Sequence, residues 1–530
     1  MFKIIKYVVL VAFLVGCSSH VVQDESTTRK TIEELSVELD GSNADQFFND
    51  VTVAYSLFPI AFADSNGDQY GDLKGIISKL DYLNDGDVST TTDLGVDAVW
   101  FNPIYPSNTY HKYDIKDYKD IDPKFGTLED FKQLVSEAHK RGIKIILDMV
   151  FNHTSSEHLW FLKALQKEEP YFSYYNIQVK VDFSKYPGKI GWNLKNGLTY
   201  YSGFWSEMPE LNMDNEDVRN ELKSVLSFWM DLGVDGFRYD AAKHVYDTNE
   251  YPSGTPLLLQ NKQFWMEMKD FVKKKNPDTY LVGEVWLNSN DAAPYASGFD
   301  SLFNFDIQGS IVSTVKNEYQ NNFVSSFNQS VQKYTAKNPK FINAIFLSNH
   351  DQDRIMSQFS GSENKMRLAA HILFSLPGLP FVYYGEELGM TGKKPDEKIR
   401  EPFVWDGTTD SPNAMWEGWV YNAKLDPYTK QVKDSDSIWT MYRDLIAFRK
   451  EHSVLKDGTL EALDFGSNRI LGYVRKNAAE SIAVISNLSS KTETLELPFK
   501  AELLKNNKDN TLNSTTLTLQ PYGSVYLIVQ

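Results

Sequence analysis

The chain has 530 residues, of which 42% are hydrophobic and 24% are charged, a composition typical of globular proteins that bury a sizeable core. Its 54 basic and 71 acidic residues give a net charge of −17, which argues against a nucleic-acid partner because affinity for a phosphate backbone rests on clustered Lys and Arg. The charge fits a neutral polymer as partner, although net acidity also serves solubility alone.

The first 17 residues have the features of a secretory signal. A short basic stretch precedes an apolar run at 7–15, which is too short for a transmembrane helix. Leu14-Val15-Gly16-Cys17 resembles the bacterial lipobox, which implies acylation of Cys17 and an extracytoplasmic, lipid-anchored protein at the bacterial cell membrane. An ordinary signal peptide with an incidental cysteine is the alternative. Cys17 is the only cysteine of the chain, so an intramolecular disulfide is excluded.

Residues 18–48 are predicted to form a solvated tether, because Ser, Thr, Asp and Glu dominate them. No later stretch is apolar enough to span a bilayer, so the lipid is the membrane contact that the sequence predicts.

Strand and helix signals alternate from about residue 49 onward. Amphipathic helical stretches separate eight candidates for buried strands, at 53–58, 96–101, 143–150, 234–239, 280–285, 301–305, 344–348 and 380–384. One helix has clear ends, since Thr127 and Asp130 form an N-terminal capping pattern and Gly142 follows its last turn. Eight such units predict a (β/α)₈ TIM barrel over 49–152 and 206–454. An open doubly wound sheet is disfavoured, because no Gly-rich phosphate loop follows the first strand.

Two regions interrupt this alternation. Residues 153–205 contain many aromatic residues and are predicted to form a subdomain inserted after the third strand. Its rings either stack on a ligand or form the core of the insert itself. Residues 455–530 lose the helical pattern and predict a C-terminal antiparallel β-sandwich domain.

Four predicted strands end in carboxylates, where barrels place their reactive groups: Asp148, Asp240, Glu284 and Asp351. Arg238 shares a face of its strand with Asp240 and is expected to lower the pKa of that carboxyl group. Glu284 has no basic neighbour in sequence, so a raised pKa would suit it to general-acid catalysis. Hydrolysis of a glycoside requires such a pair, whereas a single acid could equally cap a helix or pair with a loop cation.

The strand ends carry four short motifs, Asp148-Met-Val-Phe-Asn-His153, Gly236-Phe-Arg-Tyr-Asp240, Gly283-Glu-Val-Trp286 and Asn349-His-Asp351. In this order they resemble the signature segments of glycoside hydrolase family 13, the alpha-amylase family, over about 50–450. The resemblance implies a retaining mechanism in which Asp240 is the nucleophile, Glu284 is the acid/base and Asp351 holds the distorted sugar.

The same resemblance implies contacts to the sugar at the point of cleavage from His111, Tyr113, His153, Arg238 and His350. It also implies that Asp148 and Arg354 belong to the substrate-binding residues. It also implies that Lys243 contacts the sugar two positions beyond. Met208-Pro-Glu-Leu-Asn212 resembles the fifth segment of the group intermediate between oligo-1,6-glucosidases and neopullulanases. Ala241 favours α-1,4 over α-1,6 cleavage, and Tyr110 stands where exo-acting relatives carry a blocking acid, which favours endo attack.

These features imply a monomeric endo-acting alpha-amylase that hydrolyses starch and maltodextrins. A relative that transfers glucosyl units or cuts α-1,6 bonds is one alternative, because the choice of acceptor depends on contacts that short motifs do not define. A catalytically silent glucan-binding protein is the other. Such a protein would be expected to lack one of the three carboxylates, and all three are present here.

Calcium is the expected cofactor. Oxygen-bearing side chains recur at every second position in Asp64-Ser-Asn66-Gly-Asp68-Gln-Tyr70-Gly-Asp72, a pattern that suits a hard cation. Family members have a calcium loop of this type, in which Tyr70 would contribute its backbone carbonyl. An Asx-rich turn without metal is the alternative. A second calcium site, known from alpha-amylases, would use Asn152, Glu210 and His244.

Overall fold

The computed structural model describes residues 44–530. The predicted signal, Cys17 and most of the tether lie outside these residues. Within them, no helix combines the length and the apolar character that crossing a bilayer requires.

The strands follow one another as β1 Ala54–Leu57, β2 Ala98–Phe101, β3 Lys144–Met149, β4 Ile177–Gln178, β5 Trp192–Lys195, β6 Leu198–Tyr201, β7 Gly236–Tyr239, β8 Tyr280–Gly283, β9 Ser301–Phe303, β10 Ile342–Phe346, β11 Leu379–Tyr383, β12 Thr459–Leu463, β13 Ile470–Lys476, β14 Ser481–Asn487, β15 Glu493–Glu496, β16 Ala501–Asn506, β17 Thr511–Asn513, β18 Thr516–Leu519 and β19 Ser524–Val529.

The α-helices are α1 Ala44–Asp50, α2 Pro59–Phe62, α3 Leu73–Ser78, α4 Leu80–Leu83, α5 Leu128–Lys140, α6 Leu159–Leu165, α7 Glu216–Asp231, α8 Leu257–Lys275, α9 Ser289–Ala292, α10 Phe305–Asn317, α11 Phe323–Thr335, α12 Ile355–Gln358, α13 Glu363–Ser375, α14 Asp396–Ile399, α15 Tyr428–Gln431, α16 Ile438–Glu451 and α17 Val454–Asp457.

Strands β1–β3 and β7–β11 form a closed parallel barrel, in which chain neighbours are also neighbours in space. Each of the eight predicted strands overlaps one of them, so the predicted barrel is confirmed. The strands are buried on both faces, as parallel strands covered by helices must be. Helix α5 has the predicted ends, because Thr127 and Asp130 bond reciprocally and Gly142 takes a left-handed φ of 75°.

Helix α1 closes the end of the barrel where the strands begin. The Phe47 ring stacks on Tyr280 at 4.3 Å, and Phe47 and Val51 are buried with the side chains of the barrel interior. Residues 44–48 were predicted to end the tether, but they belong to this helix. Its buried aromatic side chain completes the core at this end of the barrel.

The insert and the C-terminal region form separate antiparallel sheets. Strands β4–β6, which lie between β3 and β7 in the chain, form a small sheet of their own. Inside the insert, the centroid of the Phe161 ring lies 5.1 Å from those of Tyr175 and Tyr200. Strands β12–β19 form two sheets that bury a common apolar core, as the predicted sandwich requires.

Replacement of Phe47 with alanine is expected to lower the free energy of unfolding by about 3 kcal/mol, because it removes a buried ring from the end of the barrel. Urea unfolding followed by tryptophan fluorescence would measure the change. Gln46→Ala, on the exposed side of the same helix, is the control. Equal stability of the two variants would show that α1 does not support the barrel.

Candidate active site

One arginine lies at the centre of the strand-end carboxylates. The Nη1 atom of Arg238 donates to Asp148 Oδ1 at 2.9 Å and to Asp240 Oδ1 at 2.6 Å, and its Nη2 lies 2.9 Å from Glu284 Oε2. The register of β3 against β7 sets Asp148 opposite Arg238. The sequence predicted a contact of Arg238 with Asp240 only. In the closed barrel, Glu284 contacts the same guanidinium.

Burial dominates the protonation of these acids. It raises the pKa of Glu284 to about 7 against the opposing effect of Arg238, as the sequence predicted for the general acid. Burial also raises the pKa of Asp240, and Arg238 opposes the rise. The expectation that Arg238 holds the pKa of Asp240 low is therefore wrong, because the effect of burial exceeds that of the guanidinium. Glu284 can carry a proton near neutral pH, so the pair contains an acid and a potential nucleophile.

A second arginine, Arg400, holds Asp351. Its Nη2 lies 2.9 Å from Asp351 Oδ1, and its Nε donates to the carbonyl of His350 at 2.9 Å. Burial acts to raise the pKa of Asp351, but His350 and Arg400 hold it below its ordinary value. Asp351 therefore stays ionised opposite the other two acids.

The structure corrects the place of Arg354. Its side chain is buried between the rings of Tyr383 and Tyr384, and Nη1 donates to the carbonyl of Tyr384 at 2.7 Å. Arg354 therefore does not line the cavity beside the carboxylates, and the structure does not place it as the substrate contact that the resemblance implied. The cation beside Asp351 is Arg400, which lies in the segment between β11 and α16 and matched none of the recognised motifs.

These side chains surround a cavity of about 320 Å³, which is lined by His111, Tyr113, His153, Phe204, Met208, Asp240, Ala241, Glu284, Trp286, His350, Asp351, Asp396 and Arg400. Of the predicted residues, Asp148 and Arg238 contact this lining from its buried side, and Lys243 lies outside it. Burial lowers the pKa of His111 and His153 to about 4, so both rings are neutral near pH 7. The Tyr113 hydroxyl lies 2.7 Å from His350 Nε2.

Several lining residues lie outside the set that the sequence motifs predicted. Phe204 and Trp286 are 50% and 43% exposed, and Trp286 stacks on Phe305 at 4.7 Å. Two large rings left half in solvent beside the acids suit the apolar faces of a ligand. The position of Trp286, two residues after Glu284, could have indicated that it lies at the site. No sequence feature distinguishes Phe204, because many residues of the insert are aromatic.

A buried ion pair positions the loop of His111 and Tyr113. Lys112 lies between them with a left-handed φ of 65°, a conformation that favours glycine. Its Nζ lies 2.7 Å from Asp122, and both side chains are about 5% exposed. This contact compensates the strained backbone and fixes the two rings that face the cavity.

The predicted calcium loop folds through its own side chains. Asp64 accepts the backbone N–H groups of Asn66, Gly67 and Gln69, and Asp68 accepts that of Tyr70. Asp72 instead caps helix α3 through Gly75 N–H. Across residues 44–530, no group of three or more His, Cys, Asp or Glu side chains is arranged to hold a metal ion. The loop retains hard oxygen donors at 64, 66 and 68, so its chemistry fits calcium, but Asp72 is committed to the helix.

The second predicted calcium site contains two unsatisfied oxygens. Asn152 Oδ1 and Glu210 Oε2 are buried and have no hydrogen-bond partner among the described residues, while Glu210 Oε1 accepts Gly203 N–H at 2.8 Å. The side chain of His244 bonds to Asp247, which the sequence did not single out. Buried oxygens without donors fit a hard cation.

Comparison with known proteins gives the same family over most of the chain. Residues 56–458 match the family described as alpha amylase, catalytic domain, and residues 470–525 match the alpha-amylase SusG C-terminal domain. Alpha-amylase 3 of Dictyoglomus thermophilum is 40% identical over 89% of this chain and 92% of its own length. An oligo-1,6-glucosidase of Parageobacillus thermoglucosidasius is 31% identical over 84% and 91%. The crystal structure of an alpha-amylase from H. orenii superposes with a TM-score of 0.84 at 38% identity, covering 91% of this chain and all of that one.

Exchange of Arg400 for lysine is expected to lower kcat on a maltooligosaccharide on the order of a hundredfold, because lysine cannot hold Asp351, His350 and Tyr110 together. Arg354→Lys is the matched control. It is expected to lower the thermal unfolding midpoint and to leave kcat close to that of the parent chain. Loss of kcat in Arg354→Lys but not in Arg400→Lys would reverse the assignment of the two arginines.

Proposed function

The chain belongs to the alpha-amylase family of glycoside hydrolases, and we propose that it is a retaining, endo-acting alpha-amylase that hydrolyses α-1,4-glucosidic bonds in starch and maltodextrins. The observation that carries the proposal is the placement of Asp240 and Glu284 on one guanidinium, with Asp351 held by Arg400 on the same cavity.

In the proposed mechanism, Glu284 donates its proton to the glycosidic oxygen while a carboxylate oxygen of Asp240 attacks the anomeric carbon. The bond to the departing chain breaks, and a covalent glucosyl ester forms on Asp240. Glu284, now ionised, takes a proton from water as the water attacks the same carbon. The ester bond to Asp240 then breaks, and Glu284 is protonated again. Asp351 stabilises the distorted sugar in both steps.

Endo attack on α-1,4 bonds is supported by two alpha-amylases among the matches and by Tyr110. Burial raises the pKa of Tyr110 to about 12, so it carries no charge where exo-acting relatives have an acid. Tyr110 stacks on Trp416 at 4.7 Å and accepts a hydrogen bond from Arg400. The match to an oligo-1,6-glucosidase favours a second candidate, an α-1,6-active enzyme.

We further propose anchorage outside the cytoplasm through a lipid on Cys17, supported by the lipobox-like Leu14-Val15-Gly16-Cys17. Calcium is proposed as the structural cofactor, held by the oxygens of Asp64, Asn66 and Asp68 in one site and of Asn152 and Glu210 in the other. The ion would neutralise buried or clustered carboxylates and tie the loops that flank the cavity.

Chromatography of early products from starch, maltoheptaose, isomaltose and pullulan tests the proposed specificity. Mixed maltooligosaccharides from starch with isomaltose uncleaved are expected, since endo attack releases internal fragments. The Asp240→Asn variant is the control and should lose turnover while still binding glucan. Release of glucose alone, or cleavage of isomaltose, would favour the second candidate.

The alkaline side of the pH profile should follow Glu284. Because its raised pKa is about 7, the protonated acid needed for the first step is lost as the pH rises through neutrality. kcat/KM on a maltooligosaccharide is therefore expected to fall above pH 7, with the thermal midpoint measured in parallel to exclude unfolding. Activity that stays constant far into the alkaline range would rule out Glu284 as the general acid.

Removal of calcium with a chelator is expected to lower the thermal unfolding midpoint, and calcium but not magnesium should restore it. Asp64→Asn should lose part of this increment. Asp87→Asn is the matched control, because Asp87 accepts backbone and side-chain bonds from Ser89 in another exposed loop. A midpoint that does not respond to calcium would contradict the proposed cofactor.

A further inference from the structure

Trp100 lies inside the barrel and contacts the catalytic cluster from the barrel interior. Its side chain is almost completely buried, and its ring packs against Phe303 at 5.3 Å and Phe381 at 6.3 Å. These contacts alone describe a residue that fills the core. The indole also carries one N–H group, which a buried position obliges to find an acceptor.

The register of the barrel directs this N–H group at a carboxylate. Trp100 on β2 is the partner of Ile146 on β3, and Asp148 lies two residues further along the same face of β3. The Nε1 atom of Trp100 donates to Asp148 Oδ2 at 3.2 Å. The indole therefore reaches from one strand to the functional end of the next.

Asp148 depends on donors of this kind. Its Oδ2 atom also accepts from Arg238 Nη1 at 2.9 Å and from the Tyr113 hydroxyl at 3.1 Å. Burial raises the pKa of Asp148, Arg238 and Tyr113 oppose the rise, and Asp240 adds to it. Tyr105 also faces this residue, through a hydroxyl that donates to its backbone carbonyl. Each donor on the carboxylate therefore helps to keep it charged.

The face of the same indole contacts Arg238. The guanidinium carbon lies 4.9 Å from the centre of the Trp100 ring, which is a cation–π contact. His350 meets the ring edge to face at 5.7 Å, and burial lowers its pKa to about 3, so it adds no positive charge beside Asp148 near pH 7. One side chain thus contacts both partners of the ion pair between Asp148 and Arg238.

We propose that Trp100 is a positioning residue, which through its N–H group and its ring face holds Asp148 and Arg238 in the arrangement that aligns the nucleophile Asp240. This role rests on the proposed function, because it serves the attack by Asp240. A protonated Asp148 would accept more weakly from Arg238. The guanidinium would then lose the contact that fixes it between Asp148 and Asp240.

Replacement of the indole by benzothiophene tests the proposal, because benzothiophene has nearly the same shape and no N–H group. Benzothienylalanine is incorporated at position 100 alone, and hydrolysis of maltoheptaose is compared with that by the parental chain. We expect kcat to fall about tenfold, since a hydrogen bond to a charged group is lost, and KM to stay within about twofold. The acid limb of kcat/KM should move to higher pH by about one unit, because the pKa of Asp148 rises when it loses a donor. The alkaline limb, which follows Glu284, should stay in place.

Trp229 provides the matched control. It is buried, and its Nε1 atom donates to the carbonyl of Tyr118 at 2.8 Å. Benzothienylalanine at position 229 should lower the thermal unfolding midpoint and leave kcat and the acid limb unchanged. Trp100→Phe, a second variant, should move the acid limb in the same direction with a lower midpoint. A loss of thermal stability in the Trp100 variants with an unchanged acid limb would overturn the proposal and leave Trp100 as a core residue.

Infrared spectroscopy follows the protonation of Asp148 without turnover, through the carboxyl C=O band that is lost in Asp148→Asn. With benzothienylalanine at position 100, this band should appear at higher pH than in the parental chain, and appearance at the same pH would overturn the proposal. If the band shifts but the parental chain cleaves no α-1,4 bonds, the proposed function fails while the contact between Trp100 and Asp148 stands.

Discussion

The buried guanidinium of Arg238 is the contact on which the catalytic arrangement depends. Taking three carboxylates and a cation out of water costs several kcal/mol per ion unless the charges meet at hydrogen-bond distance. The barrel meets this condition because β3, β7 and β8 are neighbours, and their hydrogen-bonded register fixes which side chains face each other. Burial raises the pKa of Glu284 against the opposing effect of Arg238, and this gives the site its acid.

Arg400 balances the opposite side of the cavity by different means. It comes from a long segment and is positioned by its own contacts, on the carbonyl of His350 and the hydroxyl of Tyr110. A loop residue of this kind can change without altering the barrel. The carboxylates and Arg238 lie at strand ends, whereas Arg400 lies in a loop. Changes in that loop can alter specificity while the catalytic residues on the barrel stay in place.

Two further buried arginines, Arg449 and Arg475, have a structural role. Arg449 donates to the carbonyls of Phe374, Leu376, Leu455 and Gly378, and Arg475 to those of Ser375, Leu455, Gly458 and Thr459. Burial lowers the pKa of both to about 9, and the carboxylate of Asp457 offsets this effect only in part. These contacts join the last barrel elements to the C-terminal sheets. Carbonyl partners give a structural tie, whereas carboxylate partners at Arg238 give a titratable site.

The sequence by itself determined the eight-stranded barrel, the insert, the C-terminal sheets and the strand ends that carry Asp240, Glu284 and Asp351, because strand periodicity and short motifs are local properties. It placed α1 in the tether, since a single aromatic residue such as Phe47 has no local pattern. Only the tertiary structure decided that Arg238 contacts three acids, that burial outweighs the effect of Arg238 on the pKa of Asp240, and that Arg400 holds Asp351. Each of these depends on distances and exclusion of water between residues far apart in the chain, which no local pattern encodes.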